Sequence, residues 1–486
     1  MPLRPPDPLS TLPAWVARAG FVLLAAAAEA QVPPQRGEAD RIDITGRQNL
    51  TLGSGARAYG MGGAFLARAD DATAASWNPA GLSYLRVPEI SLVGAFNSFA
   101  VTQGTRSDRF DGNAIDFAAF TWPVGLGETT GAVQVSYQRA ISFDGTRKIH
   151  ATTENQTLTE DGESDGGFDV LAFGTGLRLS RRVRAGFTVN RWTNGYQQTL
   201  DRTITREFNQ GRPYRTFELD FRPRGWSVNL GVIVEPVEGL NLAAVYKTPF
   251  TAHVRLDKTR WDRWGTLDSL QEVTTNSASS EDVRLDFPSS LGFGLSWRPR
   301  DTLTLSADFT RTGWSEAQIV DYFDLAVTPR DLPGGIPSPA PPPTVYSALQ
   351  YPTLRTVPDP ANPDDPARLV SQRNAEQLRV GVEWVLIKGS LKVPLRAGYF
   401  NDGQIIPNPG GNTPHFNGFT AGTGLILGSM LLDFAYVYEF GDYLTTDVAG
   451  GAEFDQPTPL PSVRNTLSTN RFFASVIYRF SGRGQP

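Results

Sequence analysis

The chain has three histidines, His150, His253 and His415. None stands at zinc-ligand spacing from another histidine or from a carboxylate, so they read as surface residues of outer loops and strand ends. Cysteine is absent, which excludes thiol catalysis, cysteine-bound metal, a disulfide framework and a lipid-modified cysteine. A Gly-x-Ser-x-Gly string occurs at Gly162-Glu163-Ser164-Asp165-Gly166. A nucleophile elbow needs that string on a sharp turn from a strand into a helix, and here it lies in a polar stretch with neither. Asp70-Asp71 and Asp364-Asp365 are adjacent in sequence and not a facing acid pair, and two adjacent acids are a poor calcium site. The expectation is therefore no enzyme, no catalytic residue, no metal and no cofactor.

The other chemically suggestive stretch is Gly53-Ser54-Gly55-Ala56-Arg57-Ala58-Tyr59-Gly60-Met61-Gly62-Gly63. Dinucleotide binding would place such glycines after a strand and at the start of a helix, inside a βαβ unit. That context is missing. Gly60, Gly62 and Gly63 instead suit a backbone folded tightly with little side-chain bulk. Asp70-Asp71-Ala72-Thr73 predicts a cap for a short helix over Ala74 to Trp77, and Asn78-Pro79-Ala80 predicts a turn. Residues 51–86 thus read as a compact insert of mixed structure.

What holds such an insert follows from the rest of the chain. A net charge of -5 argues against a nucleic-acid partner, and 40% apolar with 20% charged residues excludes a disordered chain. Arg4 and Arg18, the apolar run Ala19–Ala28 and the small-x-small site Ala28-Glu29-Ala30 read as a signal peptide over 1–30, with Gln31 as the mature start. That run is well short of the roughly 20 residues of a membrane helix. Residues 31–50 form an extension. Beyond them, period-two alternation prevails. Leu378, Val380, Val382, Trp384 and Leu386 share one face, with Arg379 and Glu383 opposite; Leu432, Phe434, Tyr436, Tyr438 and Phe440 oppose Asp433 and Glu439. Candidate strands lie at 88–99, 114–124, 130–143, 167–180, 183–197, 225–235, 239–255, 283–298, 302–315, 374–387, 391–402, 415–427, 430–443 and 469–480. Short links alternate with long ones (100–113, 144–166, 198–224, 256–282, 316–373, 403–414, 444–468). Soluble sandwiches have no reason for that order, whereas outer-membrane barrels alternate short inner turns with long outer loops. The fold class is all-β: a transmembrane antiparallel barrel of about 14 strands over 87–481, with 51–86 as a plug in its lumen and 482–486 as a tail. Trp122, Trp297, Trp314, Tyr443 and Phe480 are assigned to interfacial girdles, and the Pro-rich 329–366 to a solvated outer loop.

The segment GARAYGMGGAFLARADDATAASWNPAGLSYL resembles the N-terminal hatch of FadL-type outer-membrane transporters, which take up long-chain fatty acids and, in some branches, aromatic hydrocarbons. Further pieces match in order: Gly225-Trp226-Ser227, Glu238–Leu242 with Tyr246-Lys247-Thr248-Pro249, Phe287–Gly292 and Thr312–Ser315. The resemblance spans roughly 50–480 and implies a plugged barrel of fourteen strands that releases apolar substrate sideways into lipid. It implies a gating role for Asn78, Pro79 and Ala80. The implied partners are a hydrophobic small molecule, outer-membrane lipid and, from the terminal aromatic Phe480, barrel-assembly machinery. Arg139, Lys247, Arg379 and Arg396 are candidates to pair with a substrate carboxylate. The alternative is an interior salt network with Asp308, Glu383, Asp433 and Glu439. The chain departs from the family in its 31–50 extension and in the residues after Phe480. Similar plugs occur in a sister branch that shuttles secreted proteins, which leaves a shuttle or scaffold barrel as the rival function.

Overall fold

The computed structural model describes residues 53–480 apart from 104–105, 127–128, 143, 154–155, 207–213, 265–272, 315–317, 322–343, 348–372, 390, 405–407, 409–411 and 447–461. The expected signal peptide, the 31–50 extension, the 482–486 tail and all of loop 329–366 except Thr344–Ser347 lie outside the described residues.

Nineteen strand segments form one sheet. They are β1 (Glu89–Gln103), β2 (Arg106–Leu126), β3 (Thr129–Ser142), β4 (Gly145–Thr153), β5 (Gln156–Arg178), β6 (Val183–Arg206), β7 (Tyr214–Val237), β8 (Leu240–Lys247), β9 (Phe250–Trp264) and β10 (Val273–Phe287). They continue with β11 (Ser290–Arg300), β12 (Leu303–Thr312), β13 (Gln318–Asp321), β14 (Thr344–Ser347), β15 (Ala375–Lys388), β16 (Leu391–Gly403), β17 (His415–Leu427), β18 (Met430–Thr446) and β19 (Ser462–Arg479). Antiparallel pairing runs β1, β2, β3, β5, β6, β7, β8, β11, β12, β15, β16, β17, β18, β19. β19 then pairs back to β1, from Glu89↔Arg479 to Gln103↔Asn465. Fourteen strands therefore close a barrel with no free edge, the form in which a sheet can cross a bilayer.

The alternation fixes which face is which. Leu378, Val380 and Trp384 are exposed on the outer face while Arg379 and Glu383 are buried inside, and Phe434 faces out while Asp433 faces in. The outer face is the apolar one, as lipid requires.

Three features differ from expectation. Much of the predicted outer loops is strand: β1 and β2 run to Gln103 and from Arg106, β6 and β7 to Arg206 and from Tyr214, β9 and β10 to Trp264 and from Val273. Those stretches are mixtures of Thr, Tyr, Phe and charge, which suit a pleated ribbon but show no apolar face because they stand above the lipid. Second, the predicted strands 239–255 and 283–298 are each broken, at Thr248-Pro249 and Pro288-Ser289; proline supplies no N–H to a ladder. Third, Trp314 is no girdle residue. It shares parity with the buried Asp308 and Thr312 of β12 and is itself buried in the lumen.

Candidate functional site

Inside the barrel lies the N-terminal segment, 53–88, whose residues are almost all buried. It contains helix α1 (Ala56–Gly60), helix α2 (Ala74–Trp77) and a 3-10 helix, Pro79–Tyr84. α1 packs on β16–β19, and the 3-10 helix packs on β3 and β5–β7 across the lumen.

On the α1 side the attachment is charged. Arg57 contacts both oxygens of Glu383 at 3.1 Å and Asp70 at 2.6 Å. Arg396 joins the same Glu383 at 2.8 Å to Asp433 at 2.6 Å. Arg68 pairs with Asp70 and reaches Glu383 at 3.6 Å. Burial favours the neutral form of Asp70, but Arg57 and Arg68 outweigh it and hold the carboxyl below its ordinary value. Asp308 accepts the N–H groups of Phe65 and Leu66 at 2.6 and 2.8 Å. Arg379 donates to the carbonyl of Gly62 at 3.0 Å and clasps both oxygens of Asp402 at 2.7 and 2.6 Å. Gly62 (φ +69) lies so close to the wall that a Cβ there would be 2.8 Å from the Val380 carbonyl; Gly60 abuts Gly422 and Gly63 abuts Arg379.

The opposite side is held mainly by neutral groups, with the Arg184 guanidinium of β6 over the Tyr84 ring at 4.1 Å. Asn78 is fully buried. Its Nδ2 donates to Leu66 O at 2.9 Å and Val232 O of β7 at 3.3 Å, and its Oδ1 accepts from Ala80 N at 3.1 Å. Pro79 opens the 3-10 helix, where its missing N–H costs nothing. Gly231 of β7 makes room: a Cβ there would sit 2.0 Å from Asn78 Oδ1. Gln134 donates to Ala72 O at 2.7 Å. Asp71 accepts Thr73 N at 2.9 Å, ordering the turn before α2.

Above this second half is a cavity whose floor is Ala75 and Ser76 and whose walls include Trp192, Lys247, Phe250, Phe287 and Trp314. Phe250 stacks on both Trp192 and Phe287 at 4.7 Å between centroids, and Phe287 meets Trp314 edge-on at 6.4 Å. The proline breaks put them there. Phe250 follows Pro249 and Phe287 precedes Pro288, and the two are register partners at one level of the β9–β10 ladder. Gly225 faces the Phe250 ring, where a Cβ would sit 2.9 Å away. Ser227 Oγ accepts from Trp192 Nε1 at 2.9 Å and Asn190 Nδ2 at 3.2 Å. Four short motifs far apart in sequence, around 225, 248, 287 and 314, thus meet around one cavity. Beside it the β6–β7 ladder lapses between Trp192↔Gly225 and Tyr196↔Phe221. Asn194, in that lapse, has φ 63, the one positive φ outside glycine among the described residues, and it donates to Asp169 at 2.7 Å.

Of the four basic candidates, Lys247 lines the cavity. Arg139 is ion-paired with Asp169 and, at 3.1 Å, with Asp144, while Arg379 and Arg396 belong to the attachment of the N-terminal segment. Glu439 pairs with Arg471 at 3.0 Å. The Gly162–Gly166 string lies within the extended β5, not at a turn. His415 Nδ1 lies 2.8 Å from Asn401 Oδ1, and no acid or histidine cluster suited to a metal occurs among the described residues. Trp192 and Phe250 were not singled out by sequence, and Phe287 entered only within the matched stretch Phe287–Gly292; for Trp192 the signal was its parity with the inward Asn190 and Thr188 of β6.

The profile of the BamG family matches residues 46–325. No curated protein matches the sequence. Among solved structures, the Pseudomonas putida toluene transporter TodX superposes with a TM-score of 0.53 at 13% identity, over 89% of this chain and 100% of its own. The Ralstonia pickettii toluene transporter TbuX gives 0.51 at 15% identity over 89% and 99%. A Pseudomonas aeruginosa FadL homologue gives 0.52 at 13% over 88% and 99%. Identities this low establish the shared fold, an outer-membrane β-barrel.

Proposed function

The chain belongs to the BamG family, and from that premise and the geometry of the lumen we propose that it is an outer-membrane channel for small hydrophobic molecules. The carrying observation is the aromatic cavity between the N-terminal segment and the wall. Water inside a pore is no better a solvent for an apolar solute than water outside, so an open pore gives it no advantage. A cavity lined by stacked rings does, because it removes apolar surface from water. The N-terminal segment acts as a hatch, and Asn78-Pro79-Ala80 sets the position of the part that floors the cavity. The lapse between β6 and β7 lies beside Trp192, where headgroups meet acyl chains, and is where we place the exit of solute from the barrel. The cavity holds about 70 Å³, which favours a single aromatic ring over an acyl chain of fatty-acid length unless the floor moves. Where the solute carries a carboxylate, Lys247 is the cation at hand.

The test is paired uptake in cells without their own hydrophobic-substrate channel. Wild-type protein should raise entry of labelled toluene or a long-chain fatty acid and leave a sugar of similar size unaffected. Phe250→Ala with Phe287→Ala should lower hydrophobic entry at equal membrane levels. Sugar entry without hydrophobic entry would make it a general porin.

The family match favours a second reading, a scaffold or shuttle barrel that works with other outer-membrane proteins, barrel-assembly machinery being the partner that the family's name suggests. Unchanged uptake together with a co-purifying barrel or secreted protein would select it.

A further inference from the structure

On the outside of the wall, the apolar band ends beside the β6–β7 lapse in a row of basic residues. Directly paired residues of an antiparallel ladder project to the same side, so the row can be traced by register. Trp226 and Leu230 of β7 face outward, 61% and 47% exposed. Arg224 continues that face and is exposed, while Pro223, Gly225 and Ser227 are buried on the lumenal side. Arg191 of β6 pairs with Trp226, and its guanidinium lies 5.1 Å from the indole centroid. Exposed His253 of β9 pairs with Arg224, and Arg284 of β10 pairs with His253 in turn. Arg224 and His253 therefore occupy one rung across two neighbouring strands, one step above Arg191 and Trp226.

The height of this rung identifies what it faces. From Val237, at the short inner turn, to Trp226 the strand rises roughly 28 Å at about 3.3 Å per residue and a tilt of about 40°. An outer-membrane apolar band is about 25 Å tall, so Trp226 sits at the outer girdle and the rung lies among the lipid headgroups. Three exposed arginines elsewhere near the outer ends of the wall have acids, Arg109 with Asp111 at 3.0 Å, Arg311 with Glu376 at 3.8 Å, and Arg464 with Asp442, whereas the exposed Arg373 has none among the described residues. Arg191, Arg224 and His253 have no ion-paired acid among the described residues. Arg224 lies one step beyond Trp226, the register partner of Arg191, so the two arginines are diagonal neighbours on this face; like charges that close repel, and a counter-anion in the facing layer relieves the repulsion.

We propose that this row binds the phosphate of an outer-leaflet lipid headgroup, holding a phosphorylated lipid against the wall beside the β6–β7 lapse. Arg224 and Arg191 supply the charge, and Trp226 lies at the boundary of headgroup and acyl chain. The assignment needs only the barrel's place in the outer membrane, so it stands or falls separately from transport.

The experiment uses full-length protein in phosphatidylcholine bilayers containing spin-labelled phosphatidic acid or spin-labelled phosphatidylcholine, and reads their relative association by electron spin resonance. Wild-type protein should prefer phosphatidic acid. Each surface cation contributes roughly a factor of five, so Arg191→Gln with Arg224→Gln should cut that preference about twenty-five-fold. Arg311→Gln, whose charge is already met by Glu376, should leave it within twofold, and millimolar inorganic phosphate should not displace the lipid. A double variant that keeps its preference within twofold overturns the proposal, as does displacement by inorganic phosphate, which would mark a site for soluble anions. Should the double variant fail to assemble, Arg224→Gln alone reads the same ratio, with a five-fold fall expected and no change overturning it.

Discussion

Replacing Asn78 by alanine separates the hatch from the barrel that holds it. The side chain makes three hydrogen bonds from a fully buried position, to Leu66 O at 2.9 Å, to Val232 O at 3.3 Å and from Ala80 N at 3.1 Å. A buried hydrogen bond is worth about 1 kcal/mol net, and leaving its partner unsatisfied costs about 1–3 kcal/mol. Only the Val232 bond crosses to the wall, and the other two brace the segment's own turn, so the docked and folded hatch loses about 3 kcal/mol relative to an undocked one in which that turn has melted. The wall loses little, because Val232 stays in its ladder with Ala185 and Ala244 whether or not Asn78 is there. Three kcal/mol corresponds to roughly a 150-fold rise in the undocked population. Single-channel recording in planar bilayers should show open events becoming more frequent by about two decades, while the unheated protein still migrates as a folded barrel. Asn78→Asp keeps the acceptor for Ala80 N, loses both donations and should fall between. Open probability within threefold of wild type in Asn78→Ala would refute the idea that Asn78 holds the hatch closed.

Gly231→Ala should raise open probability without removing any hydrogen-bonding group, because its methyl would lie 2.0 Å from Asn78 Oδ1 and displace it; Gly94→Ala, with nothing within 4 Å, should be silent in the same recordings. Glu383→Gln leaves Arg57 and Arg396 without their shared acid but still paired with Asp70 and Asp433, so the loss is smaller than the roughly 3–5 kcal/mol of a fully broken buried pair; it should lower the thermal unfolding midpoint and raise conductance together. Asp70 has a depressed pKa, so its contribution is present above the ordinary carboxylate value of about 4 and is lost as pH falls through the lower folded value. The effect of Asp70→Asn on conductance should therefore be constant from pH 8 to 5 and vanish only in stronger acid; an effect that fades between pH 7 and 5 would mean that Arg57 and Arg68 do not hold Asp70 ionised.

The wall was legible because lipid imposes one rule on every strand. The outward Leu378, Val380 and Trp384, with Arg379 and Glu383 inward, could be separated by counting in twos. The same counting places Trp314 inside, and the girdle assignment failed because residue type was allowed to outweigh parity. The outer ribbons were opaque since water bathes both faces and no alternation is demanded. Ion-pair partners depend on register, which turn geometry sets: Arg379 meets Asp402, an acid not among those expected, because β15 pairs with β16 through Gln377↔Asp402. Arg396 with Glu383 and Asp433 follows the predicted interior network. The cavity was hidden for another reason. Its rings come from segments around 192, 250, 287 and 314, three of them in or beside stretches that the family resemblance marks, and only barrel closure brings them together.

The central claim is that the ringed space above Ala75 and Ser76 takes up an apolar solute. A crystal structure of the full-length protein soaked with bromobenzene, with anomalous scattering used to locate bromine, tests it directly. The account predicts a peak between Trp192, Phe250 and Phe287, lost in Phe250→Ala with Phe287→Ala while annular peaks in the detergent belt persist. Bromine found only in that belt, with the ringed cavity holding none, would contradict it.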